Sequence, residues 1–138
     1  MARQVLLIED EPNIAEAIRF ILSRDGWVVS SHANGADAAE VVRALRPDVV
    51  VLDVMLPGRS GYDILTELRA DPATAGLPVL MLSAKGQDRD RVRAAEVGAD
   101  RFIAKPFSNA EVLDALRTLA PDTGGQAVAG AAVGRPVP

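Results

Sequence analysis

Residues 49–53 read Val49-Val50-Val51-Leu52-Asp53, four branched apolar side chains in a row closed by a carboxylate. A strand that is apolar on both faces has no side to give to water, so it belongs inside a sheet that is covered above and below. Two other stretches share this character. Val5-Leu6-Leu7-Ile8 runs into Glu9-Asp10-Glu11, and Pro78-Val79-Leu80-Met81-Leu82 runs into Ser83. Trp27-Val28-Val29 and Phe102-Ile103-Ala104 are weaker strand signals on either side.

Between these strands the apolar period changes from continuous to helical. Ile14, Ala17, Ile18, Ile21 and Leu22 form one stripe, with Pro12 suited to its first turn and Gly26 to its stop. Ala38, Val41, Val42 and Leu45 form a second stripe, for which Asn34 is a candidate cap and Pro47 an end. Ile64, Leu65 and Leu68 mark a third, after a loop with Pro57, Gly58 and Gly61. Val92 and Ala95 give a weaker fourth, stopped near Gly98. Ser108-Asn109-Ala110-Glu111 is a capping box, followed by Val112, Leu113, Leu116 and Leu119. Five strands alternating with five helices predict an α/β fold: a doubly wound parallel sheet with helices on both faces.

The 138 residues, 49% apolar and 25% charged, suit one globular domain. We expect that domain at residues 1–120, and a flexible Gly/Ala/Pro-rich tail or linker at residues 121–138. The formal net charge of −4 argues against direct nucleic-acid binding. The absence of cysteine excludes disulfides, zinc–thiolate sites and thiol nucleophiles. No apolar run is long enough for a membrane span, and Met1-Ala2-Arg3-Gln4 does not read as a signal peptide, so a cytoplasmic location is expected.

In such a sheet, ligands bind beyond the C-terminal ends of the strands. Those ends carry Glu9 and Asp10, Asp53, Ser83 and Lys105, the last followed by Pro106. Three carboxylates crowded at one edge repel one another, and a hard divalent cation, Mg²⁺, would relieve that repulsion. A phosphoryl group would in turn occupy Lys105 and the Ser83 hydroxyl. The residues therefore suit phosphoryl transfer, with a carboxylate as nucleophile.

The motifs Ile8-Glu9-Asp10-Glu11, Leu52-Asp53-Val54-Met55-Leu56-Pro57-Gly58, Leu82-Ser83-Ala84 and Phe102-Ile103-Ala104-Lys105-Pro106-Phe107 resemble those of response-regulator receiver domains of two-component signalling. The resemblance runs from about Val5 to Leu119. It implies a flavodoxin-like strand order, 2-1-3-4-5. It implies that Asp53 accepts a phosphoryl group and that Asp10 binds Mg²⁺ directly. Glu9 would act through water, and Met55 would lend its backbone carbonyl to the metal. Ser83 would be the switch hydroxyl, Phe102 the switch aromatic and Lys105 the phosphate-binding lysine. A cis bond at Lys105-Pro106 is expected, and Met55 with Lys85 would border the approach of water.

The implied partners are a sensor histidine kinase or phosphotransfer protein, and a downstream protein target or an effector domain. A monomer or weak dimer is expected, because Val97 and Ala115 stand where a charged dimer face would need charges; Arg91 and Glu111 alone suit such a pair. The domain would be no enzyme beyond its own phosphorylation and dephosphorylation. One alternative is a Mg²⁺-dependent phosphatase of haloacid-dehalogenase type, but its Asp-x-Asp after the first strand is here Glu9-Asp10-Glu11. Another is a phosphorylation-independent binding module.

Overall fold

The computed structural model describes residues 3–84 and 88–121. The strands are β1 (Gln4–Ile8), β2 (Val28–His32), β3 (Val49–Asp53), β4 (Val79–Ser83) and β5 (Arg101–Ala104). The helices are α1 (Pro12–Arg24), α2 (Ala38–Leu45), α3 (Gly61–Ala70), α4 (Asp88–Glu96) and α5 (Asn109–Leu119). All strand pairs are parallel, and the order is β2-β1-β3-β4-β5. This is the predicted doubly wound α/β fold.

Alternation along the three central strands divides the core in two. Leu6, Ile8, Val50, Leu52, Val79 and Met81 face a cluster that includes Ala39, Val42, Ile64, Leu65, Leu68 and Ala94 from α2, α3 and α4. Val5, Leu7, Val49, Val51, Leu80 and Leu82 face Ile18, Leu22, Val112, Ala115 and Leu116 from α1 and α5. Every residue of β3 and β4 is buried, as strands covered on both faces require.

Local details depart from the sequence reading where polar contacts outweigh the apolar pattern. Trp27 precedes β2 and is 3% exposed; its indole donates to Asp25 and its ring lies under Arg3. Asn34 does not cap α2: its Oδ1 accepts from Ala36 N at 2.7 Å, closing a local turn, and Asp37 stands at the N-cap. The helix ends at Leu45, with Arg46 left-handed at φ 49°. Ala17 and Leu45 are exposed despite lying on the expected stripes. In α4 the expected Val92 and Ala95 both face water, and Ala94 is buried instead. The capping box of α5 is present as read, with Ser108 Oγ accepting from Glu111 N. Except for Pro121, the expected tail lies outside the described residues, as do Met1, Ala2 and Lys85.

Arg69 ties the last turn of α3 to two loops. It donates to Leu77 O at 2.6 Å, Ala75 O at 3.0 Å and Gly98 O at 2.7 Å, and pairs with Asp100 at 3.0 Å. Asp100 in turn accepts from Val79 N, at the start of β4. Arg69→Ala leaves these half-buried carbonyls without a charged donor, so a loss of about 3 kcal/mol is expected. Urea denaturation measures it; a loss under about 1 kcal/mol would show that water replaces the guanidinium freely.

Candidate functional site

The C-terminal edge of the sheet brings together Glu9, Asp10, Asp53, Ser83 and Lys105, each at or just past the end of a strand. Strand alternation separates the neighbours Glu9 and Asp10. Glu9 turns inward and is 3% exposed, while Asp10 stays at the exposed lip. Oxygens of Glu9, Asp10 and Asp53 nevertheless lie within 4.8 Å of one another.

Lys105 Nζ lies 3.0 Å from Glu9 Oε1 and 3.2 Å from Asp53 Oδ1. Its backbone N donates to Ser83 O at 2.8 Å, holding the end of β5 against β4. The Lys105-Pro106 peptide bond is cis, as expected. Ser83 is 2% exposed. Glu9 Oε2 accepts from Glu11 N, and Glu9 N donates to His32 O. Gly61 N donates to Val54 O, and a Cβ on Gly61 would meet the carbonyl of Asp53, so only glycine lets α3 start this close to the strand end.

Burial is the largest influence on Asp53; with the Glu9 carboxylate beside it, it pushes the acid up to about 6, against the pull of Lys105. Lys105 is itself held above its ordinary value: burial opposes its charge, but Glu9 and Asp53 outweigh it. The cluster thus has two buried carboxylates sharing one cation, with a third carboxylate at the mouth. Such an all-oxygen, net anionic set fits a hard divalent cation.

Of the other expected residues, Met55 is 64% exposed, two positions past Asp53. Phe102 is half-buried in the cluster that contains Ala94, with the Arg91 guanidinium 4.9 Å from its ring centre. The sequence reading missed that contact, and it missed the close partnership of Glu9 with Lys105. His32 is half-buried and its ring pairs with Asp37 at 2.7 Å; it is not one of the residues grouped at the carboxylate cluster. Trp27 stands at the opposite edge of the sheet, where β2 begins, so its fluorescence is no probe of the carboxylates.

Comparison with known proteins agrees with this geometry. The response regulator receiver domain model matches residues 5–117. A probable transcriptional regulatory protein of Mycobacterium tuberculosis, TcrX, is 45% identical over 120 residues, covering 87% of this chain and 50% of the relative. The chain therefore spans half the length of that regulator. Among solved structures, the receiver domain of a signal transduction histidine kinase from Syntrophus aciditrophicus is 30% identical with a TM-score of 0.80, covering 97% of this chain and 98% of that one. The receiver domain of a sensor histidine kinase from Pseudomonas aeruginosa is 29% identical with a TM-score of 0.80, covering 87% and 98%, and has a magnesium ion coordinated in its active-site cleft. No helix among the described residues is long and apolar enough to cross a membrane. By its match over residues 5–117 and its sheet order, this chain belongs to the response regulator receiver domain family.

Proposed function

We propose that the domain is switched by transfer of a phosphoryl group to Asp53. One observation carries this reading: Lys105 Nζ stands 3.2 Å from Asp53 Oδ1 while oxygens of Glu9 and Asp10 gather within 4.8 Å of the same carboxylate. A carboxylate oxygen of Asp53 attacks phosphorus as the bond to the donor's histidine nitrogen breaks, and the imidazole leaves with that electron pair. Lys105 exchanges a carboxylate contact for the phosphoryl oxygens and balances their charge. Ser83, at the neighbouring strand end, donates its hydroxyl to the same group.

Asp10 and Asp53 would hold Mg²⁺, with the Met55 carbonyl, and Glu9 would reach it through water. When bound, the ion offsets the negative charge that gathers on the transferred group. Phe102 is the aromatic whose packing answers the change. The domain catalyses only its own phosphorylation and dephosphorylation.

A sensor histidine kinase or phosphotransfer protein supplies the group, and a cytoplasmic location follows from that exchange. The output passes to a partner protein or to an effector domain in a longer chain. The receiver domain occupies residues 1–120, with residues 121–138 as tail or linker. A monomer or weak dimer is supported by Ala115, fully buried, and by Glu111, engaged in the capping box.

The test is mass spectrometry of the intact protein after incubation with a small phosphodonor and Mg²⁺. The parent gains one phosphoryl group, and Asp53→Ala gains none. Equal labelling of the two would overturn the assignment.

A further inference from the structure

The two ends of the described chain meet at the sheet edge opposite the carboxylate cluster. Arg3 stands just before β1, Asp25 and Trp27 lie in the turn between α1 and β2, and Arg117 and Ala120 belong to the last turn of α5 and its end. Asp25 is the centre of this group. Its carboxylate accepts from the Trp27 indole N–H at 3.2 Å and from Arg117 at 2.5 and 3.2 Å, and it lies 3.8 Å from Arg3. The Arg3 guanidinium also covers the Trp27 ring, 4.1 Å from its centre, and donates to Ala120 O at 3.3 Å. Asp25 owes nothing of this to its own helix. It is the C-cap of α1, where the negative end of the helix dipole disfavours a carboxylate. The turn is already closed by the backbone, with Gly26 at φ 92° and with Gly26 N and Trp27 N donating to Ser23 O and Leu22 O. The Arg117 guanidinium first, then the Trp27 N–H and Arg3, outweigh partial burial and hold the Asp25 carboxyl below its ordinary value. Ala120 O, for its part, is among the carbonyls that a helix end leaves without an intrahelical partner, and Arg3 brings it a donor from the other end of the chain.

We propose that this group is a clamp on the outgoing chain. It fastens the end of α5 to the α1–β2 turn, with Asp25 as the shared anion, and so fixes the direction in which whatever follows Ala120 leaves the domain. A lone exposed ion pair is too weak for that task. Here two arginines and an indole share one carboxylate whose side chain is 19% exposed, and Arg3 adds the ring and the carbonyl. Members of such a network depend on one another more than isolated pairs do.

The clamp sits where a longer chain would continue. This chain spans half of the regulator that it matches at 45% identity. An effector domain carried beyond such an exit is held at a set angle to the switch instead of swinging from it. That consequence rests on the phosphoryl-transfer reading, with an output beyond this domain; the clamp itself does not.

Hydrogen exchange on the metal-free, donor-free protein tests the clamp apart from that reading. In Asp25→Ala the amides of Leu119 and Ala120 are expected to exchange about tenfold faster, as the loss of a charged hydrogen-bond acceptor implies. Those of Leu6, Val51 and Leu80 in the central strands should stay at the parental rate. Arg3→Ala should accelerate the same α5 amides about two- to fivefold. Arg117→Ala should accelerate them too, although alanine favours helix more than arginine does. Combined with Asp25→Ala, it should bring no further acceleration, because its partner is already gone. Trp27 gives a second readout: its emission should move to the red in Asp25→Ala and Arg3→Ala, as the indole loses its acceptor or its cover. Parental exchange at Leu119 and Ala120 in Asp25→Ala, or unshifted emission in both variants, would overturn the proposal. So would an equal acceleration of the central strands, since Asp25 would then serve only the stability of the whole domain. Additive effects of Asp25→Ala and Arg117→Ala would do the same, by showing that the acid is not the shared centre. Failure of Asp53 labelling would sink the phosphoryl-transfer reading and leave the clamp standing.

Discussion

Asp10→Ala is expected to weaken Mg²⁺ binding by about a hundredfold or more, beyond the usual cost of losing an outer-shell partner. Asp10 is the exposed member of the carboxylate trio, and no ion pair to it is found among the described residues. Glu9 stands differently. Its Oε1 is 3.0 Å from Lys105 Nζ and its Oε2 accepts from Glu11 N, so both oxygens are already engaged. Glu9→Gln removes one negative charge from the site without removing the ligand at its mouth, and a loss of roughly tenfold is expected. Calorimetric titration of the two variants beside the parent gives the comparison. Tryptophan emission should stay flat throughout, because Trp27 sits at the far edge of the sheet under Arg3. A larger loss in Glu9→Gln than in Asp10→Ala would exchange the roles of the two acids.

The central strands and the cluster at their ends were legible because burial on both faces leaves an unmistakable trace. Val49-Val50-Val51-Leu52 admits no solvent face, and the polar residue that ends such a run must stand at the edge of the sheet. Asp53 and Ser83 were located by that rule alone, and Glu9 and Asp10 by the same rule on β1. The rule could not divide labour between Glu9 and Asp10. Adjacent residues diverge at a strand end, and which one turns inward depends on the register of β1 against β3, where Ile8 lies opposite Leu52.

The α4 helix was phased wrongly for a related reason. Its sequence, DRDRVRAAE, has few apolar residues, and the buried one is an alanine close to a valine and another alanine. On this helix the Arg91 and Arg93 guanidinium groups lie over the rings of Phe102 and Tyr62. A hydrophobic pattern cannot report a contact made by arginine. The misread cap at Asn34 has the same origin in side-chain chemistry: asparagine serves a turn as well as a helix start, and here its side chain is taken up by Ala36 N.

Asp53→Asn is expected to stabilise the metal-free domain by about 2 kcal/mol at pH 7.5 and by almost nothing at pH 4. The carboxyl is 2% exposed, and burial with the Glu9 charge raises its pKa from 3.8 to about 6. A carboxyl whose folded value is raised costs stability once it must ionise. The cost is absent below the unfolded value, grows between the two values and is complete above pH 6. A rise of about two units corresponds to about 3 kcal/mol, at roughly 1.4 kcal/mol per unit. The raised value already includes the pull of Lys105; asparagine keeps the shape and removes the charge, but its buried amide needs hydrogen-bond partners of its own, which lowers the gain. Urea midpoints in a chelating buffer, read at both pH values, give the difference between variant and parent. Because Glu9 and Asp10 are present in both proteins, their own titration largely cancels. Excess Mg²⁺ should reduce or reverse the advantage, since the ionised parent then has a counter-ion that asparagine binds poorly. A variant equally favoured at pH 4 and 7.5, or less stable than the parent at both, would show that Asp53 is not held at the cost of folding.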